Sequence, residues 1–300
     1  MDCLWRFSDK FLQPISILFI LPILVKLHPF PAVPPEFIQS RQNPRVQNLV
    51  RLHERSHRDA QQRFLVEGRR ELERALAEGV IEEIYFCTEL FRDVSSQDLV
   101  DRASQAGVAV CQLAPMAFDK VSLREGPDGL LGVARAWHIT LTDLKLSATP
   151  LLLIVERVEK PGNLGALLRS ADAAGADAVI VCDPVSDLFN PQVVRNSQGA
   201  LFSVPVTVAS PQEALDFIRA NKIALVTTTP SAKIDYWDAN LRDAAAIAVG
   251  GEKDGLTALW LEAADQSVRI PMAGQTDSLN VSAAATLALF EAVRQRQQKS

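Results

Sequence analysis

The chain has 300 residues, 48% of them hydrophobic and 22% charged, with a formal net charge of -5. This composition excludes extensive disorder and leaves room for two globular domains. The acidic balance excludes a protein that coats nucleic acid through bulk charge, although a local basic surface remains open.

At the N-terminus, Ile15 to Val25 forms an apolar run that contains Pro22 and precedes a proline-rich stretch from Pro29 to Pro35. It is too short for a membrane span of about 20 residues and offers no convincing cleavage site, so residues 1–37 are expected to be a dispensable leader. Residues 39–79 carry nine arginines against six acids. Within them, Val46, Leu49, Val50 and Leu52 fall at helical spacing between Pro44 and His57, which puts Arg45, Arg51, Arg55 and Arg58 on an outer face. That face reads equally well as solvated or as an RNA-backbone contact.

Phe64–Gly68 then reads as a strand and Arg69–Ala77 as a helix stopped by Gly79. Ile81–Cys87, a helix over 98–106, Val108–Leu113 and Leu130–Trp137 continue the alternation of a small α/β domain over residues 38–140. Residues 141–149 have turn character and weak periodicity, and form the expected linker. From residue 150 to the end, Leu151–Val158, Ala178–Asp183, Ser203–Ala209, Ile223–Thr229 and Ala245–Gly251 are short apolar runs separated by helical segments. This pattern predicts an α/β domain around a mostly parallel sheet, with ligands at the carboxyl ends of the strands. Cys3, Cys87, Cys111 and Cys182 are scattered without a CxxC pair or neighbouring histidine ligands. Neither a disulfide framework nor a metal site is expected, and a reducing cytoplasm fits.

Three clusters carry chemistry. Pro161 to Ala171 follows a buried strand and opens a helix, with Gly162 and Gly165 at the turn and Arg169 one turn beyond Gly165. A dinucleotide-binding unit is the competing reading, with Asp183 about 20 residues on, but GxxG lacks the first turn of GxGxxG. Val249 to Leu256 is a second glycine-rich loop; it lacks the lysine-serine ending of a P-loop, and Glu252 and Asp254 suit hydroxyls or a cation rather than phosphate. Ile270 to Ser282 leads into an alanine-rich helix, which Ser278 and Asn280 are placed to cap. Each cluster alone reads as well as a turn or a cap.

In this order, the three clusters resemble the SpoU/TrmH family of the SPOUT methyltransferase superfamily. The resemblance rests on Asn163, Gly165 and Arg169, on Gly250, Glu252, Gly255 and Leu256, and on the closing IPM…SLNVS segment. Arg195 to Phe202 is similar to the family's serine–glycine–alanine segment, and residues 63–135 resemble the ribosomal-protein-like RNA-binding domain that many members carry. Lys160 stands where many members have an acid.

The resemblance implies a trefoil-knotted C-terminal domain, S-adenosylmethionine as cofactor, a homodimer through that domain, and ribose 2'-O-methylation of a structured RNA, with ribosomal RNA favoured over tRNA. It implies catalytic or orienting roles for Arg169, Asn163, Glu252, Asn280 and Ser278. Cofactor contacts are implied for Thr228, Gly250, Glu252, Ile270, Met272, Leu279 and Ser282, and RNA contacts are expected from Arg45, Arg51, Arg63 and Arg69. A guanidinium is a poor proton acceptor, so Arg169 is expected to stabilise developing alkoxide, with base action left open. The alternatives are a catalytically silent RNA-binding relative and a nicotinamide-dependent oxidoreductase.

Overall fold

Leu151, Leu153 and Val155 point into one core, and Leu152 and Ile154, between them, into another. A strand that is apolar on both faces belongs inside a sheet covered on both sides. The computed structural model, which describes residues 35–298, places it there. The expected leader lies outside the described residues except for its last three, Pro35 to Phe37.

The N-terminal lobe comprises β1 (Glu36–Ile38), α1 (Pro44–Arg51), α2 (Arg55–Gln61), β2 (Arg63–Glu67), α3 (Arg69–Ala77), β3 (Ile81–Phe86), α4 (Val94–Gln105), β4 (Ala109–Leu113), α5 (Pro115–Val121) and β5 (Leu130–Arg135). Its sheet runs β1-β4-β3-β5-β2, with β5 antiparallel to both neighbours. Two expectations change here. Glu36 and Phe37 pair with β4 and so belong to the fold, ahead of the expected start at residue 38. The single helix expected between Pro44 and His57 is two helices. Arg58 donates to the carbonyls of Leu52 (2.9 Å) and His53 (2.6 Å), and so satisfies the backbone of the turn that separates them.

Residues 141–149 are not a free tether. Leu141, Leu144 and Leu146 pack against the core on one face of the C-terminal sheet, and Asp177 accepts from the backbone of Ser147 at 2.6 Å.

The C-terminal lobe follows as β6 (Leu151–Glu156), α6 (Pro161–Ala173), β7 (Ala178–Cys182), α7 (Pro191–Ser197), β8 (Val206–Ala209), α8 (Pro211–Ala220), β9 (Ala224–Thr228), β10 (Ile234–Asp235), β11 (Ala245–Gly250), α9 (Ala258–Ala263), β12 (Gln266–Arg269) and α10 (Val281–Gln297). The seven strands are all parallel, in the order β10-β12-β9-β11-β6-β7-β8. The chain steps outward from β6 through β7 to β8, and β11 returns to β6's other side. The crevice for a ligand therefore opens beyond the carboxyl ends of β6 and β11.

The lobes meet through Phe64 of β2, which stacks on Phe189 at 4.6 Å and lies 5.8 Å from Trp137. Buried Arg58 pairs with Asp187 at 2.7 Å, and Arg74 of α3 lies 3.4 Å from Asp172 of α6. No helix among the described residues is long and apolar enough to cross a membrane.

Candidate active site

Gly250 of β11 is in register with Glu156 of β6, so the loops that leave these strands start side by side. The loop after β6 turns into α6 at Pro161, whose fixed φ suits a first helical position. Gly165 is dictated by packing. A Cβ there would lie 2.7 Å from both the Asn196 Cβ and the Val193 carbonyl of α7, so the two helices touch backbone to backbone. The glycine turn is spent on this contact, not on the approach to a pyrophosphate that a nicotinamide reading needs.

The loop after β11 goes out and back on itself. Gly251 and Gly255 form an antiparallel bridge, and a Cβ on Gly250 would collide with the Gly255 backbone. The returning limb is anchored by Glu156, which is fully buried and accepts from both the N–H and the hydroxyl of Thr257 at 2.8 Å. Glu156 was not among the residues expected at the site. The one hint of it in the sequence is an acid closing an otherwise apolar run.

Asn280 caps α10, accepting from the Ser282 N–H (2.9 Å) and hydroxyl (2.6 Å). Its amide donates to Asn163 Oδ1 at 3.1 Å, and the Asn163 amide donates to Glu252. One polar chain, Glu252–Asn163–Asn280–Ser282, therefore ties together the three glycine- and asparagine-bearing clusters. The parallel pair Ser170 and Thr286, 2.7 Å apart, joins α6 to α10 two turns further on.

Beside this chain lies a cleft of about 700 Å³. Of the expected cofactor residues, Thr228, Gly250, Glu252, Ile270, Met272 and Leu279 line it, as do Ser278 and Asn280 of the expected catalytic residues. Ser282 does not line it, because its hydrogen bonds are turned to Asn280. Met272 and Leu279 are 36% and 39% exposed, an apolar pair facing open space. Arg169 is exposed on α6 and does not line the cleft. It lies on the same side as Gly162, Gly165 and Asp172, which face α7 and the N-terminal lobe.

The expected RNA-contacting arginines are mostly committed elsewhere. Arg45 bonds Glu36 (2.6 Å), Glu83 (3.0 Å) and the Tyr85 hydroxyl (3.0 Å), Arg63 pairs with Glu82 at 2.6 Å, and Arg69 pairs with Glu73 at 2.9 Å. Arg51 is exposed and has no ion pair among the described residues.

Comparison with known proteins decides the family. A crystal structure of an RNA 2'-O ribose methyltransferase is 48% identical, covering 87% of this chain and 99% of that one, with a TM-score of 0.78. The Bacillus subtilis 23S rRNA (guanosine(2553)-2'-O)-methyltransferase RlmP is 30% identical over 84% of this chain and 97% of its own length. The chain belongs to the SpoU rRNA methylase family. That family's profile matches residues 150–290, and an MRM3-like substrate binding domain matches residues 43–132, which lie in the C-terminal and N-terminal lobes respectively. A further member of known structure is the SpoU methyltransferase AviRb from Streptomyces viridochromogenes in complex with AdoMet. It is 31% identical over 85% of this chain and 99% of that one, with a TM-score of 0.75. The cleft suits the same cofactor: the Gly250 loop offers backbone polar groups, and Met272 and Leu279 offer an apolar surface for a purine ring.

Proposed function

We propose that this SpoU methylase transfers the methyl group of S-adenosylmethionine to one ribose 2'-hydroxyl of 23S ribosomal RNA, in the cytoplasm, as a homodimer joined through its C-terminal lobe. The observation that carries this reading is the Glu252–Asn163–Asn280 chain, which holds the cleft loops against the helix that bears Arg169. Bound S-adenosylmethionine supplies an electrophilic methyl group on a sulfonium. Gly250, Ile270 and Leu279 would hold it largely through their backbone, with Met272 and Leu279 against the adenine.

The protein's own task is to align the ribose oxygen with that methyl and to favour its anionic form as the hydroxyl proton passes to solvent water, while the S–CH3 bond breaks and the O–CH3 bond forms. Arg169 is assigned to the ribose side, where its planar fork meets the developing alkoxide and the adjoining phosphate. Asn163, Glu252 and Asn280 position α6 and the loops, and Ser278, which lines the cleft, orients the nucleotide. The knotted chain path implied by family membership belongs to this reading. So does the dimer, for which Leu287 (38% exposed) and Phe290 (44% exposed), one turn apart on α10, supply an apolar face.

The reading is tested by incubating the protein with unmethylated 23S rRNA and labelled S-adenosylmethionine and mapping 2'-O-methyls by sequencing. One newly protected ribose is the expected result. Labelled tRNA with unlabelled rRNA would transfer the activity to another substrate.

A further inference from the structure

Between the lobes, a recess of about 570 Å³ that shares no lining residue with the cofactor cleft is lined by Arg69, Arg70, Arg92 and Arg124 of the N-terminal lobe and by Arg195 of α7. Elsewhere along the lobe interface each arginine meets an acid, as Arg58 meets Asp187 and Arg74 meets Asp172. Here the balance is different. Arg69 pairs with Glu73 and Arg124 with Asp128. Arg70 spends one N–H on the neutral Gln198 side chain (2.9 Å) and Arg92 spends one on the Gly126 carbonyl (2.7 Å). Arg195 is exposed on α7 and has no ion pair among the described residues.

Of the acids in the recess, Asp93 is turned to capping α4, Asp128 to Arg124, and Glu71 is buried on α3. Arg70, Arg92 and Arg195, none of which forms an ion pair among the described residues, thus share one open recess in which arginines outnumber acids five to three, an arrangement that favours an anion with several acceptor oxygens.

The position of the recess says which anion. Asn196 lines it and also touches Gly162 and Gly165 of α6, so its wall continues onto the face of α6 that carries Arg169. We propose that the recess is a phosphodiester-binding site for the RNA strand that enters the methylation site. Arg70 and Arg92 contribute from one lobe and Arg195 from the other, so neither lobe alone completes it. The proposal rests on the RNA methyltransferase reading above and adds the path by which the strand reaches Arg169.

Salt dependence of RNA binding is the discriminating readout, because each lost phosphate contact lowers the slope of log affinity against log salt by about one. The full-length protein, Arg70→Ala, Arg195→Ala and the double variant are titrated with an arbitrary RNA hairpin and with a 23S rRNA transcript, with exposed Lys145→Ala as the control. The expected result is a slope smaller by about one in each single variant and by about two in the double. The KM for RNA should rise, while S-adenosylmethionine affinity and melting temperature hold. Arg70→Lys should keep most of the slope, which a purely structural role for the guanidinium fork would not allow.

A double variant with wild-type slope on the hairpin overturns the proposal, as does a recess that binds polyglutamate while its variants leave RNA binding untouched. A wild-type protein that binds the hairpin with the expected slope but never methylates 23S rRNA would count against the functional reading and leave the recess standing.

Discussion

Asn163 and Asn280 are 117 residues apart in the chain, yet the Asn280 amide donates to Asn163 Oδ1 at 3.1 Å, and both residues open helices that flank one cleft. Two roles meet in Asn280, and they can be separated. Asn280→Asp keeps the oxygen that caps α10 but loses the amide that reaches Asn163. Its melting temperature should stay close to wild type while methyl transfer falls at least tenfold. Asn280→Ala should lose both, with a stability cost of about 1 kcal/mol for the cap. Thermal unfolding alongside single-turnover kinetics reads the two effects, and an Asn280→Asp enzyme of wild-type rate would dissolve the link.

Arg169→Ala should slow methyl transfer about 10²–10³-fold, the usual consequence of removing one preorganised donor, with cofactor affinity unchanged because Arg169 does not line the cleft. Arg169→Lys keeps the charge without the planar fork and should be nearly as slow. Calorimetry with S-adenosylmethionine, run beside single-turnover assays, checks both. An Arg169→Ala protein that fails only by losing the cofactor would remove the residue from the ribose side.

Glu156 touches nothing in the cleft, but it holds Thr257 at the end of the loop that lines it. Glu156→Ala leaves the half-buried Thr257 N–H without its partner, at a cost of about 1 kcal/mol. Cofactor affinity should fall more than the rate at saturating cofactor, since the loop is loosened and Arg169 is not. Equal loss of both, or of neither, in binding and rate measurements would show that the anchor does not act through the loop.

His53 sits between α1 and α2, where burial, aided by the nearby charges of Arg58 and Lys120, lowers its pKa. The unfolded chain therefore takes up this proton before the folded one does. Stability is lost as pH falls from about 7 through the free imidazole value near 6.5 and on toward the lower folded value. Melting temperatures between pH 7.5 and pH 5.5 should drop more steeply for wild type than for His53→Gln. Parallel curves would mean that His53 carries none of this dependence.

Much of this was legible in the residues because burial leaves a pattern. The strands beginning at Leu151, Ala178 and Ala245 were readable, since strands buried on both faces have to be continuously apolar. Residues 69–77 form a helix with the expected bounds, because Gly68 and Gly79 punctuate it. The short strands Ile234–Asp235, at the sheet edge, and Gln266–Arg269, beside it, were not readable, because strands this brief carry no periodicity. The break between α1 and α2 depends on a side chain, Arg58, reaching back to the backbone, and spacing cannot reveal that. At the site, the three clusters could be named from their residues. That Asn163 is the member joining them, that Glu156 anchors the loop, and that Arg45 is held by Glu36 and Glu83 are all facts of tertiary contact.

Methylation of a ribose hydroxyl of 23S rRNA by this cleft together with Arg169 is the proposed reaction. It is tested most directly by reacting unmethylated 23S rRNA with the purified protein and methyl-labelled S-adenosylmethionine, digesting the RNA to nucleosides and finding the label. One labelled 2'-O-methylnucleoside is expected, absent from the Arg169→Ala reaction. Label on a base, or no label in any RNA from a protein that binds the cofactor fully, would contradict it.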